Sequence, residues 1–253
     1  MTAVDVTVLC DAVAVFPEAV EVALPGVGEE GWLLHFHSYL VVGESGVVLV
    51  DAGVGPAGGE AAEWLGVSGR LPGLLGQVGV RVEDVDAVVL THVHLDHVGW
   101  VSDGVRVGFP RAEYVVQRDE LEHVRGGTTY ERRIRPVVEA GQLRVVDGTA
   151  MVRGARVVPT PGHTPGHQSV VTSRAILGGD VFVHAAQARR PELTYVYERD
   201  PARAVTSRRE VLALAAAMGV PIAAAHPPVA LSPTGEPVGS TDNADEVCPP
   251  YKL

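Results

Sequence analysis

THVHLDHVG, residues 91–99, sets three histidines and an aspartate within six consecutive positions of a chain that has ten histidines in all. The run follows DAVVL (86–90), an apolar stretch of strand character. His92 and His94 are therefore two apart on extended backbone, with both rings pointing the same way. Such a pair can grip one ion. Asp96 and His97 lie beyond the expected bend, where they can face a second ion. Imidazole with carboxylate suits zinc and its first-row neighbours, whereas calcium takes all-oxygen ligation. Thr91 and Gly99 are expected to let the segment turn tightly, which a bulky residue at the glycine position would hinder.

Other apolar runs end the same way. GVVLVD ends at Asp51, DAVVLTH at His92, ARVVPTPGH at His163, SRAILGGD at Asp180 and PIAAAH at His226. In open α/β folds, loops and ligands converge at the C-terminal ends of strands. Five runs that each deliver a histidine or aspartate there predict that these distant residues meet in one cluster.

The wider pattern alternates short apolar runs with helical stretches and predicts an α/β fold. Strands are expected at 4–9, 33–42, 47–50, 87–90, 113–116, 156–158, 175–177 and 222–224. GESG (43–46) is a turn, so 33–50 reads as a β-hairpin. Helices are expected over 118–125, over part of 130–140 and, most clearly, over 200–219. Asp200 suits the N-cap of that last helix, Pro201 its first position and Gly219 its stop. Val205, Arg208, Leu212, Ala215 and Met218 would form its buried face. Residues 227–253, rich in Pro, Gly and Ser, read as an irregular tail of the same single domain, 1–253.

Composition narrows the functional classes. A net charge of −11 with no basic block argues against nucleic-acid partners. Lys252 is the only lysine, which excludes a phosphate-loop lysine, a Schiff-base lysine and a Ser–Lys dyad. No apolar run approaches the length of a membrane span. MTAVDVTVLCDAVAVF has no basic leader and reads as a first strand. Cys10 and Cys248 form no CxxC pair, so a reduced, cytoplasmic setting is expected.

HVHLDH, followed by PGHTPGH, GGD and AAAH, resembles the metallo-β-lactamase superfamily of αββα-sandwich metallohydrolases. The resemblance runs from the hairpin before Asp51 to His226. It implies a four-layer αββα sandwich and two divalent metal ions, zinc above all, with manganese, iron(II) or cobalt as substitutes. By it, His92, His94 and His163 would hold one ion and Asp96, His97 and His226 the other, with Asp180 bridging both. Asp51 would organise the loop rather than bind metal, and His167 would support the ligands. A hydroxide ionised between the metals would attack the substrate, with Asp96 as the catalytic residue that orients it and takes its proton.

Four further residues are candidates for a substrate pocket: His37, His184, Tyr195 and Tyr197. His35 and His37, alternating on one strand, share a face, and a third metal site there is conceivable. Pocket specificity is expected in the loops 53–69, 102–110 and 185–198.

Departures from the family pattern narrow the branch. No cysteine is placed for the second metal site of the common zinc β-lactamases. The tail is too short for the helical domain of glyoxalase II-like enzymes, and the basic surface of RNA-processing relatives is missing. The chain resembles the compact lactonase and phosphotriesterase-like branch. However, Val183 stands where acyl-homoserine lactonases usually carry tyrosine. The expected function is zinc-dependent cleavage of a lactone or other ester-type bond of a small molecule. The alternatives are a thioesterase acting on acyl-CoA or on an acyl-carrier protein, and a mononuclear iron persulfide dioxygenase. Assembly into a homo-oligomer is left open.

Overall fold

The structure is a computed structural model that describes residues 3–28, 31–238 and 249–253. Its frame starts from strands with strict side-chain alternation. β1 (Val4–Val15) pairs antiparallel with β2 (Leu33–Gly43), and β2 turns through Glu44 and Ser45 into β3 (Gly46–Val50). The expected hairpin 33–50 is present. β4 (Ala87–Val89), β5 (Glu113–Gln117) and β6 (Leu143–Val146) add in parallel to β3. Parallel neighbours need long crossovers. Helices Glu60–Leu65 and Leu71–Gln77 lie in the one from β3 to β4, and Arg118–Val124 and Arg135–Glu139 in the one from β5 to β6.

A second sheet runs in chain order through β7 (Ala150–Val152), β8 (Ala155–Pro159), β9 (Gln168–Val171), β10 (Ile176–Gly179), β11 (Ile222–Ala224), β12 (Ala230–Leu231) and β13 (Pro237–Val238). Its pairs are antiparallel except β10 with β11. β14 (Tyr251–Lys252) returns to the first sheet and pairs with β1.

Alternation sorts the side chains into layers. Val6, Val8, Val41 and Val89 of the first sheet face Val157, Val170, Leu177 and Ala223 of the second. The opposite face of the first sheet, with Leu9, Leu49, Val88 and Val116, packs on Leu71, Leu74, Leu75 and Val137. The outer face of the second sheet, with Ile176 and Ile222, packs on Val211 and Ala215 of helix Pro201–Met218. Helix, sheet, sheet and helix are thus stacked in the expected four-layer order.

Three expectations change. Residues 227–253 are not wholly irregular, because they supply β12, β13 and β14. β1 runs six residues beyond the expected 4–9, since a bulge between Cys10 and Ala12 absorbs Asp11 without ending the strand. Helix Pro201–Met218 begins at its Asp200 cap and stops at Gly219 as expected, but buries Ala204, Ser207, Arg208, Val211 and Ala215. The buried face is shifted from the expected one toward Ala204, Ser207 and Val211, while Arg208 and Ala215 stay on it as expected, Arg208 pairing with the buried carboxylate of Glu198.

Candidate metal centre

The predicted cluster forms where the strand ends meet. After β4 the chain bends at Thr91 and turns beyond His94, where the His97 amide bonds the His94 carbonyl at 3.1 Å. His92 Nε2 lies 2.9 Å from His94 Nδ1, which lies 3.0 Å from His163 Nε2. Asp180 Oδ2 sits 3.7 Å from His92 Nε2 and 3.2 Å from His163 Nε2. Its other oxygen, Oδ1, is 3.3 Å from His97 Nε2 and 3.1 Å from His226 Nε2. Asp96 Oδ2 completes this second group, 3.5 Å from His97 Nε2 and 3.6 Å from His226 Nε2.

These separations fit donors converging on cations. Nitrogens about 2.0–2.1 Å from a tetrahedral zinc ion stand roughly 3.3 Å apart. His97 Nε2 and Asp180 Oδ1 are buried and make no hydrogen bond, an arrangement that costs free energy unless a cation faces them. The donor atoms fall into two sets that could each hold an ion, His92, His94, His163 and Asp180, and Asp96, His97 and His226.

The surrounding groups fix which nitrogen faces the cluster. Asp51 has φ +60°, rare for a residue with a side chain. Its carboxylate accepts from the Thr91 amide at 2.7 Å, the Thr91 hydroxyl at 2.8 Å and His97 Nδ1 at 2.8 Å. His226 Nδ1 donates to the His35 carbonyl at 2.8 Å. In both rings Nε2 is the nitrogen left facing the acids. His167 Nδ1 donates to the Thr160 carbonyl at 3.1 Å, and its Nε2 accepts from the Asp180 amide at 3.0 Å. Gly99 matters through close approach rather than turning: a Cβ there would lie 2.1 Å from the Val54 carbonyl carbon.

Electrostatics divides the imidazoles. Burial lowers His92, His94 and His163, so they are neutral donors at pH 7. Burial acts the same way on His97 and His226, but the facing carboxylates, Asp180 foremost, outweigh it and raise both. Burial pushes His167 down to about 4. A histidine held neutral in the fold stabilises it above pH 6.5, and that stability is lost as pH falls toward 4, because only the unfolded chain takes the proton. The loss amounts to about 3 kcal/mol for a shift of this size. Denaturant titrations of the metal-free protein at pH 7 and 4.5 should therefore show His167→Gln losing less stability on acidification than the parent. Equal losses would contradict this account.

Several supporting residues gave no sequence signal. Glu120, 1 % exposed, accepts from the Val93 amide at 2.9 Å, the Thr164 hydroxyl at 2.6 Å and the Gly166 amide at 3.2 Å. One carboxylate thereby ties the His92–His94 loop to the His163 loop. Asp11, the bulge residue, accepts from the amides of Val54, Arg70 and Leu71 and positions the loop after Asp51. Arg133 donates to the carbonyls of Gly99 and Ser102. Carboxylates bonded at two loops carry no periodicity, so only the fold shows them. Glu120→Gln turns a donor toward backbone N–H groups and should weaken metal binding by about 10–100-fold. Competition with a chromophoric chelator measures this, and unchanged affinity would refute the role.

A cavity of about 510 Å³ opens onto the cluster at His94, Asp96, His163, Asp180 and His226. Its walls are mostly apolar: Phe16, Trp32, Leu34, Trp64, Val183 and Tyr195. The Tyr195 ring stacks on His163 with centroids 6.0 Å apart and planes 12° from parallel. Tyr197 also lines the cavity, and its hydroxyl donates to Glu18 at 2.5 Å. Of the three expected specificity loops, 53–69 and 185–198 contribute and 102–110 does not. The N-terminal segment around Phe16 and Trp32 contributes instead.

Two pocket expectations need correction. His37 does not line the cavity. It is buried between the sheets beside Cys10, His35 and Tyr39, since its side of β2 is the inner face. His184 lines a separate cavity of about 250 Å³, where Trp32 packs edge-on to its ring at 5.6 Å. Its Nδ1 accepts from the Ala186 amide at 3.1 Å.

Two sheets between helical layers, with this cluster at the strand ends, define a metallohydrolase-type scaffold. The chain belongs to the metallo-beta-lactamase superfamily, whose sequence profile matches residues 34–226. It is 28% identical over 147 residues to an N-acyl homoserine lactonase from a Bacillus species, covering 53% of this chain and 56% of that protein. The chain thus spans little more than half the length of that relative. Among solved structures, the hydrolase AbOPH of the beta lactamase superfamily aligns with TM-score 0.75 and 26% identity, over 88% of this chain and 87% of that one. An N-acyl homoserine lactone hydrolase with N-hexanoyl-L-homoserine at its catalytic metal centre shares the fold, with TM-score 0.72 and 21% identity over 89% and 94% of the two chains. Among the described residues no helix is long and apolar enough to cross a membrane.

Proposed function

We propose that this protein is a metal-dependent hydrolase that holds two zinc ions and opens a small lactone bearing an apolar chain. The observation that carries the reading is Asp180, placed between two donor sets at the floor of an apolar cavity. His92, His94 and His163 would hold one ion, Asp96, His97 and His226 the other, and Asp180 both. When bound, the ions would supply a water ionised near neutral pH and an electrophile for the substrate oxygen. Asp96, at the cavity floor, would orient that water and take its proton. Asp51 and His167 would hold His97 and Asp180 in place.

The cavity walls select the substrate in this reading. Each buried methylene of an acyl chain contributes about 0.8 kcal/mol. Val183 lines the cavity where lactonases usually have tyrosine. Tyr195, twelve residues on in the same connection, also lines the cavity and would instead offer its hydroxyl to the substrate carbonyl. Burial raises its phenol above the ordinary value, so it remains a donor. Thioester cleavage would use the same residues on a different leaving group. The iron dioxygenase reading would leave Asp96, His97 and His226 without an ion, and the geometry favours two.

The test is a substrate panel on the zinc-loaded protein: lactones by proton release, acyl thioesters by free thiol, phosphotriesters and β-lactams by absorbance. Acyl lactones should exceed each other class by at least about tenfold in kcat/KM. Thiol release as the fastest reaction would replace this reading with the thioesterase. One iron per chain with oxygen uptake would replace it with the dioxygenase.

A further inference from the structure

Three metal-ligating side chains lie between the sheets and take no part in the hydrolytic site. Cys10 of β1 stands opposite His37 of β2 in register, and His35 lies two residues before His37 on the same face. All three are buried, at 0 %, 4 % and 1 % exposure. Cys10 Sγ is 3.4 Å from His35 Nδ1, the two rings are 5.3 Å apart, and one donor atom from each residue lies within 4.8 Å of the others. On one side of this group the inward positions of these strands are Val4, Val6, Val8, Tyr39 and Val41, an apolar wall. A thiol and two imidazoles thus converge at one end of such a wall, with their donor atoms in reach of a single ion.

We infer that Cys10, His35 and His37 form a third metal site, separate from the hydrolytic cluster, and that it takes copper(I). One thiolate and two imidazoles are a soft donor set. Charge decides between the ions that accept it. Copper(I) with one thiolate is neutral, whereas zinc with one thiolate keeps a positive charge that a buried position penalises. Three donors also suffice for copper(I), while structural zinc sites take four. Binding releases the Cys10 thiol proton to solvent and involves no change of oxidation state. The 250 Å³ cavity is lined by His35, His184 and His226, so it reaches one of the three donors from the side of the hydrolytic cluster.

The test titrates the whole zinc-loaded protein with copper(I), without oxygen, against a chromophoric copper(I) chelator. Zinc content is measured before and after. The expected result is one copper per chain with zinc unchanged, and an X-ray absorption spectrum showing one sulfur and two imidazole nitrogens around copper. Cys10→Ala should weaken uptake by at least about a hundredfold while keeping its zinc, and Cys248→Ala should not change it. No uptake by the parent, zinc released one for one, a copper shell free of sulfur, or equal uptake by Cys10→Ala would each overturn the inference. The spectrum on the parent protein decides the matter even if the Cys10 variant fails to fold. The outcome does not depend on which substrate the other site hydrolyses.

Discussion

Asp180→Asn should leave no more than one metal ion per chain and reduce kcat/KM by about a thousandfold or more, on the order of 4 kcal/mol of transition-state stabilisation. Asp180 is 5 % exposed and has imidazole nitrogens of His163, His97 and His226 within 3.1–3.3 Å. Burial would raise its carboxyl, but those imidazoles, His226 foremost, hold it well below the ordinary value, so it is a carboxylate at pH 7. An amide in its place keeps the shape, removes the negative charge and turns one donor toward the cluster. Two repelling cations would then lack their shared counter-charge. Metal analysis and steady-state kinetics on the same sample check this. Two ions retained at parental affinity would show that Asp180 does not join the sites.

Asp96→Asn should act differently. The residue completes the second donor set but also faces the cavity, so part of its loss falls on the proton that leaves the attacking water. A fall in kcat of about 10²–10⁴-fold is expected even with the zinc content restored. The first donor set does not contain Asp96 and should keep its ion. Loss of both ions, or a rate that excess zinc restores to the parental value, would assign Asp96 to metal retention alone.

The chemistry of the site was legible in the sequence because it recurs at run ends. Asp51, His92, His163, Asp180 and His226 each follow an apolar strand; β3 with β4 and β10 with β11 are parallel pairs, and β8 runs the same way as β10 two strands along, which brings those ends to one rim. Of the supports, Asp51 and His167 came with the family resemblance, whereas Glu120 and Asp11 were not legible. Glu120 looks like any acid in a helical first turn, and Asp11 sits at a bulge that a two-residue period cannot reveal. His37 was misplaced for a related reason: alternation groups His35 with His37 but does not say which face meets the second sheet. The cavity walls, Phe16, Trp32, Leu34 and Trp64, come from segments of ordinary composition joined only by the tertiary fold. Helices Glu60–Leu65 and Leu71–Gln77 escaped because they are short, and the second contains Pro72, Gly73 and Gly76. Burial of Leu71, Leu74 and Leu75 outweighs their weak propensity.

The most direct measurement strips the protein with a chelator and follows lactone hydrolysis while zinc is returned in measured increments. Activity should be absent at the start, rise with added zinc and level off at two ions per chain bound to the His and Asp cluster. Hydrolysis that persists in the metal-free protein, or that reaches its full rate with a single ion bound, would contradict the two-ion centre built around Asp180.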